Sequence, residues 1–267
     1  KEKKITSFNL DSEILLSNVL KKNRQDLIRN LNQKIHLKHF QKYSNLIYRR
    51  SSHEPVAYIL RKKEFWSKSF LVTKDTLIPR PETELMVDKL IKKYKNKKSI
   101  SILDVGTGSG CIIISLMSEL NNALGVGIDI SHKAIEIAKK NAICHCVNTK
   151  IKFLSTSFSN YFNKKFDVIV SNPPYISRRE FQCLSEDIKK FEPRIALDGG
   201  NDGLDLIKKV IYKTKDILKL NGTLALEIGN KQFRKVSKIL INNNFKIEFR
   251  INDYRDNIRC IIAKKLK

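Results

Sequence analysis

With 267 residues, 41% of them hydrophobic and 30% charged, the chain has the make-up of a folded protein with one large domain or two modest ones, not of a fibrous or disordered one. The formal net charge of +25 admits a polyanionic partner, although lysines are spread through helical and loop stretches alike, which favours compositional drift over a dedicated nucleic-acid face. No apolar run approaches the roughly 18 residues of a membrane span and the lysine-led start lacks a signal-peptide core, so a cytoplasmic location and no membrane partner are expected. Five cysteines, at 111, 144, 146, 183 and 260, suggest no disulfide framework, and Cys144-His145-Cys146 has no second ligand pair, so no metal is expected. The chain begins at Lys1 and not at a methionine, so a trimmed N-terminus is expected.

From about 11 to 50 the pattern is helical. Leu15 pairs with Val19 and Leu16 with Leu20, Leu27, Ile28 and Leu31 mark a short second helix, and Phe40, Tyr43 and Ile47 follow the i, i+3, i+7 rule. The economical reading is a small helical bundle over residues 1–60 that docks a partner. After Glu54-Pro55 the character changes: Glu64-Phe65-Trp66 and Phe70-Leu71-Val72-Thr73 flank the turn Ser67-Lys68-Ser69, a hairpin within a linker over 61–80. Leu77 to Glu84 then runs extended into a helix. Pro81 suits the first turn, Glu82 and Glu84 meet its positive end, and Lys92, Lys93 and Lys95 its negative end. Capping leaves Arg80 unexplained, a guanidinium aimed by prolines on both sides.

A second domain, 81–267, alternates strands at 100–105, 124–129, 151–154, 166–171, 223–228, 245–250 and 258–264 with helices such as 131–141. That alternation predicts an α/β fold, a Rossmann-like seven-stranded sheet, with ligands at the carboxyl ends of its strands. The last two strands have no helix between them and predict an antiparallel edge strand.

Three stretches carry chemistry. Gly106, Thr107, Gly108, Ser109 and Gly110 follow the first strand of this sheet, where glycines let a ligand approach backbone N–H groups at a helix N-terminus. The spacing is G-x-G-x-G, with Cys111 where a dinucleotide motif has its third glycine. Asp129 ends the second strand, placed to accept from ribose hydroxyls, and Asp104 precedes the glycines. Acids on both sides suit a positively charged ligand better than a pyrophosphate, and S-adenosylmethionine, a sulfonium on an adenosine, fits. The fourth strand stops at Asn172-Pro173-Pro174-Tyr175. Two prolines fix φ and end the ladder, so the Asn172 amide and the Pro173 carbonyl stand ready to grip a planar group bearing NH2.

Glycine loop, acid and Asn-Pro-Pro-Tyr in this order resemble class I S-adenosylmethionine-dependent methyltransferases acting on amide or amine nitrogen. With Glu64-Phe65-Trp66, Leu77 to Glu84, and Glu192 to Gly200 followed by Asp202-Gly203-Leu204, nearly the whole chain is similar to the peptide chain release factor glutamine methyltransferases, the HemK or PrmC family. The resemblance implies methylation of the glutamine side-chain nitrogen in a Gly-Gly-Gln loop. It implies cofactor binding by Gly106 to Gly110, Asp129, Phe158 and Asn172, and substrate binding by Asn172, Pro173, Pro174 and Tyr175, with Asn172 and Pro173 catalytic. Where the family has an acid before the aromatic residue that follows the third strand, this sequence has Ser157 before Phe158. A monomer is expected, with release factors as partners. Two rivals stand: an N-methyltransferase acting on adenine or guanine of a nucleic acid, which the charge admits but which is not the expected reading, and a noncatalytic cofactor-binding module on the ribosome.

Overall fold

The computed structural model describes residues 5–30, 32–162 and 164–267. Helices α1 (Phe8–Leu20), α2 (Arg24–Arg29), α3 (Leu37–Ser51) and α4 (Val56–Leu60) come first. Leu31, assigned above to the second helix, lies outside the described residues. Leu15 is fully buried, and Arg50 pairs with Asp11 at 2.7 Å, joining α3 to α1. The stripe expected on α3 divides: Tyr43 and Ile47 are half-buried, while Phe40 is exposed along with Leu37 and Tyr48.

The hairpin differs from the expected one. Strands β1 (Lys62–Phe65) and β2 (Lys68–Leu71) turn at Trp66-Ser67, both in the left-handed region at φ 53° and 52°. Two successive positive φ values make the two-residue turn that matches strand twist, a turn whose usual residues are Asn and Gly. Trp66 and Ser67 hide it from propensity. Glu84 anchors it by accepting from the Trp66 N–H at 3.0 Å.

The remaining helices are α5 (Pro81–Tyr94), α6 (Cys111–Glu119), α7 (His132–Cys144), α8 (Arg178–Gln182), α9 (Glu186–Phe191), α10 (Asp205–Ile217) and α11 (Phe233–Asn242). They surround a sheet of β3 (Ile100–Val105), β4 (Ala123–Asp129), β5 (Ile151–Ser155), β6 (Phe166–Ser171), β7 (Leu218–Glu227), β8 (Phe245–Asn252) and β9 (Ile258–Lys265). The strand order is β5-β4-β3-β6-β7-β9-β8, parallel from β5 to β7, with β9 antiparallel to both its neighbours. Seven strands with an antiparallel member in the edge pair match the expected sheet; β9 is that member, and β8 forms the rim.

Side-chain alternation builds two cores. Ile102, Val168, Val170 and Ile262 face α5 and α6, whereas Leu103, Ile169, Leu224 and Ile261 face α10 and α11. The chain winds outward from β3 through β4 to β5, then returns to lay β6 on the other side of β3. Loops after β3 and β6 therefore diverge and leave a crevice at their carboxyl ends, the position at which doubly wound sheets hold ligands.

Candidate active site

At that crevice lies a cavity of about 730 Å³. Gly106, Gly108, Asp129, Phe158, Asn172, Pro173 and Pro174, all named from sequence, line it. Gly106 and Gly108 take φ of 73° and 55°, and a Cβ on Gly106 would meet no heavy atom within 4 Å, so a ligand has room to reach this backbone. Thr107, Ser109, Gly110 and Tyr175 are not among the lining residues. The Thr107 hydroxyl donates to Asp104 at 2.7 Å, and the Ser109 carbonyl accepts from Asn141 Nδ2 at 2.8 Å. A Cβ on Gly110 would come within 2.8 Å of Ile114 and 3.2 Å of Ala138, so this glycine serves the close packing of α6 on α7.

Two acids bracket the glycine loop. Asp129 accepts from the Gly108 N–H and the Ser131 N–H, each at 2.9 Å, which holds the loop after β3 against the end of β4. Asp104 is wholly buried. One of its oxygens accepts from Thr107, while the other, Oδ1, has no partner among the described residues. Burial raises its pKa to about 7, only partly offset by the Thr107 hydrogen bond. Burial raises the Asp129 pKa as well. A pair of desolvated carboxyls beside an open glycine loop gains from a cationic ligand and would repel a phosphate.

The Asn-Pro-Pro corner forms the opposite wall. Among the described residues neither Asn172 Oδ1 nor the Pro173 carbonyl accepts a hydrogen bond. Tyr175 points away: its ring packs in the core under α10 and α11, its hydroxyl donates to Glu227 at 3.1 Å, and its carbonyl accepts from Gln232 at 2.9 Å. The resemblance implied substrate binding by Tyr175, but the chain turns after the prolines and its ring lies off the cavity, against the end of β7.

Leu77 to Glu84 and Glu192 to Gly200 meet here. Leu77 and Pro193 to Ala196 line the cavity, and Arg80 pairs with Glu192 at 2.6 Å while Glu192 also accepts from the Ile78 N–H at 3.2 Å. That ion pair is the explanation capping did not supply. The segment after it pairs with the corner: Ile176 N–H donates to Leu197 at 3.1 Å and Gly199 N–H to Ile176 at 2.8 Å. Ser157 accepts from the Ser159 N–H at 3.3 Å and caps the short turn that carries Phe158, so its oxygen is already engaged at the cavity wall.

Sequence reasoning missed Ile130 and Ile195, 56% and 60% exposed on the cavity wall, and Asn141, whose amide bonds both Leu71 backbone groups and Ser109. Large exposed apolar side chains in a crevice suit the faces of a flat ligand. Their signal in sequence is slight, because each follows an ordinary strand end or turn.

Comparison with known proteins gives this crevice its relatives. The family described as PrmC N-terminal domain matches residues 1–60, and Methyltransferase small domain matches 81–190. A methyltransferase structure from Pyrococcus furiosus covers 85% of this chain and 99% of its own at a TM-score of 0.56 and 15% identity, a likeness of fold. The bifunctional methyltransferase of Rickettsia felis is 38% identical across 97% of this chain; the chain spans about half of that longer protein, 54% of it. The release factor glutamine methyltransferase of Buchnera aphidicola subsp. Schizaphis graminum is 44% identical over 96% of this chain and 92% of its own length. Identity of that depth, running through helices, hairpin and sheet together, makes the chain a member of the release factor glutamine methyltransferase family.

Proposed function

We propose that the chain transfers a methyl group from S-adenosylmethionine to the side-chain nitrogen of the glutamine in the Gly-Gly-Gln loop of release factors. The observation that carries this reading is the pair of acceptors at the rigid corner, Asn172 Oδ1 and the Pro173 carbonyl, neither with a donor among the described residues, across a crevice from a glycine loop flanked by the buried Asp104 and the partly buried Asp129. An amide NH2 is planar with two donors, and two acceptors on one stiff turn match it.

Gly106, Gly108, Asp129, Phe158 and Asn172 would hold the cofactor, which when bound supplies an electrophilic methyl carbon on a sulfonium. Its positive charge suits Asp104, whose buried Oδ1 lacks a partner among the described residues. Phe158 offers a face to the adenine; Ser157 offers no carboxylate to its amine.

The difficulty of the reaction lies in the nucleophile. An amide lone pair is delocalised into the carbonyl, so placement in line with the departing sulfur is the main lever. Asn172 and Pro173 would accept both N–H bonds, fix the amide plane and draw electron density to nitrogen. Transfer would form a nitrogen–carbon bond as the cofactor's carbon–sulfur bond broke, and the extra proton would leave nitrogen for solvent, so no strong base would be needed of this chain. Residues 1–60 would dock the release factor, 61–80 link, and 81–267 catalyse, as a cytoplasmic monomer.

The test is methyl transfer from labelled S-adenosylmethionine to purified release factor and to bulk RNA and DNA, with peptide mass mapping of the product. Label on the loop glutamine is expected. Label in nucleic acid alone would overturn the reading.

A further inference from the structure

Behind Asn172, away from the cavity, three side chains are linked. Asn172 Nδ2 lies 3.4 Å from Thr83 Oγ1, Thr83 Oγ1 lies 2.5 Å from Glu227 Oε2, and the Tyr175 hydroxyl donates to Glu227 Oε1 at 3.1 Å. Thr83 and Glu227 are 2% and 1% exposed, and neither lines the cavity. A buried carboxylate on such a chain has a consequence for hydrogen-bond polarity.

An ionised carboxylate only accepts, so the Thr83 hydroxyl must spend its single proton on Glu227. Thr83 Oγ1 is then an acceptor towards Asn172, which must present its NH2 to it. The Asn172 carbonyl oxygen is thereby turned to the other side, towards the crevice. We propose that Glu227 and Thr83 are positioning residues that fix which way the Asn172 amide faces, so that an acceptor, not a donor, meets the substrate nitrogen. This rests on the reading of Asn172 as the grip on a substrate amide. A reversed amide would point two donors at a substrate NH2 and repel it.

The relay runs on charge. If Glu227 is protonated it can donate to Thr83, Thr83 can then donate to the Asn172 oxygen, and the orientation signal is lost. Burial raises the pKa of Glu227, with Glu82 acting in the same direction and the Thr83 and Tyr175 hydrogen bonds and Arg259 opposing it. Cys111 and Cys260 also feel its charge. A group with a raised pKa loses its charge first as pH falls, so kcat declines on the acid side.

The experiment compares Thr83→Val, Thr83→Ser, Glu227→Gln and Asn172→Ala, using a release factor as methyl acceptor and calorimetry with S-adenosylmethionine alone for cofactor affinity. Thr83→Val, equal in shape, is expected to lower kcat ~10- to 100-fold, the scale of a small misplacement of a reacting group. Its cofactor Kd is expected to stay near wild type, its Tm to fall by a few degrees because the buried Glu227 carboxylate loses a donor, and Thr83→Ser, which keeps the hydroxyl, to recover most of kcat. The acid limb of the kcat–pH profile is expected to vanish in Glu227→Gln and Thr83→Val. Should both variants keep kcat within about twofold while Asn172→Ala is inactive, the relay is overturned and the corner reading survives. Equal losses in Thr83→Ser and Thr83→Val would also overturn it, since packing and not the hydroxyl would then matter. An active Asn172→Ala would overturn both.

Discussion

Replacing Arg80 by Met tests what joins the two segments on either side of the crevice. Arg80 and Glu192 lie 112 positions apart and meet at 2.6 Å, with side chains 30% and 1% exposed. The asymmetry decides the outcome. Without Arg80, the Glu192 carboxylate keeps, among the described residues, only the Ile78 N–H, in a site where water hardly reaches it. Stranding a buried charge in this way costs about 3–5 kcal/mol, and the partial exposure of Arg80 puts the expectation at the low end, ~3 kcal/mol. For a domain of this size that is a Tm fall of roughly 6–12 °C, from about 2–4 °C per kcal/mol. Glu192→Gln keeps shape and an acceptor while Arg80 can turn to solvent, so ~1–2 kcal/mol is expected. The double variant Arg80→Met, Glu192→Leu removes both charges together and is expected to recover most of the Arg80→Met loss. Urea denaturation followed by circular dichroism gives each value, and an unchanged m confirms that only stability moved. Equal losses in Arg80→Met and Glu192→Gln, or losses that simply add in the double variant, would refute the reasoning.

Three further outcomes are expected. Phe158→Ala should weaken S-adenosylmethionine binding by ~1–3 kcal/mol, the worth of one base stacked on an aromatic ring, with Tm little changed; calorimetry measures it. Asp104 has a folded pKa raised to about 7, so its contribution to stability is present in full below the ordinary carboxylate range and is lost as pH rises through about 7. A cationic ligand lowers that pKa, so cofactor binding near pH 6.5 should release protons, seen as a dependence of the binding heat on buffer ionisation enthalpy and absent in Asp104→Asn. Ser67→Gly, at φ 52° in the hairpin turn, should raise stability by ~0.5–1 kcal/mol, because glycine takes left-handed backbone without the steric penalty of a side chain.

What sequence disclosed and what it hid divide along a physical line. Gly106, Gly108, Asp129 and Asn172-Pro173-Pro174 were legible as crevice residues because each signal is local: a backbone that needs positive φ, an acid at a strand end, prolines that stop a ladder. The helix over 131–141 showed by its apolar face, and Ser131 caps it by accepting from the Ala134 N–H at 3.2 Å. Partners across the fold were hidden. Thr83 and Glu227 stand 144 positions apart, and Asn141 and Leu71 70 apart, and topology alone brings them together. Tyr175 was misjudged for the same reason, since its adjacency to Pro174 in sequence says nothing of the direction its ring takes after the turn.

The residues following β6 divide their work by direction. Asn172, Pro173 and Pro174 face the crevice, and Tyr175 is held from behind by Glu227 and Gln232. Gln232 also donates to the Gly203 carbonyl at 3.2 Å and accepts from the Gly229 N–H at 2.8 Å, so the two loops that carry Gly203 and Gly229 are tied to the back of one corner. Two prolines stiffen the corner along the chain, and these bonds stiffen it across the chain. For a weak nucleophile such as an amide nitrogen, as proposed for this site, rate depends on how narrowly the reacting atoms are held, so rigidity delivered by side chains that never reach the substrate is itself part of the catalytic apparatus.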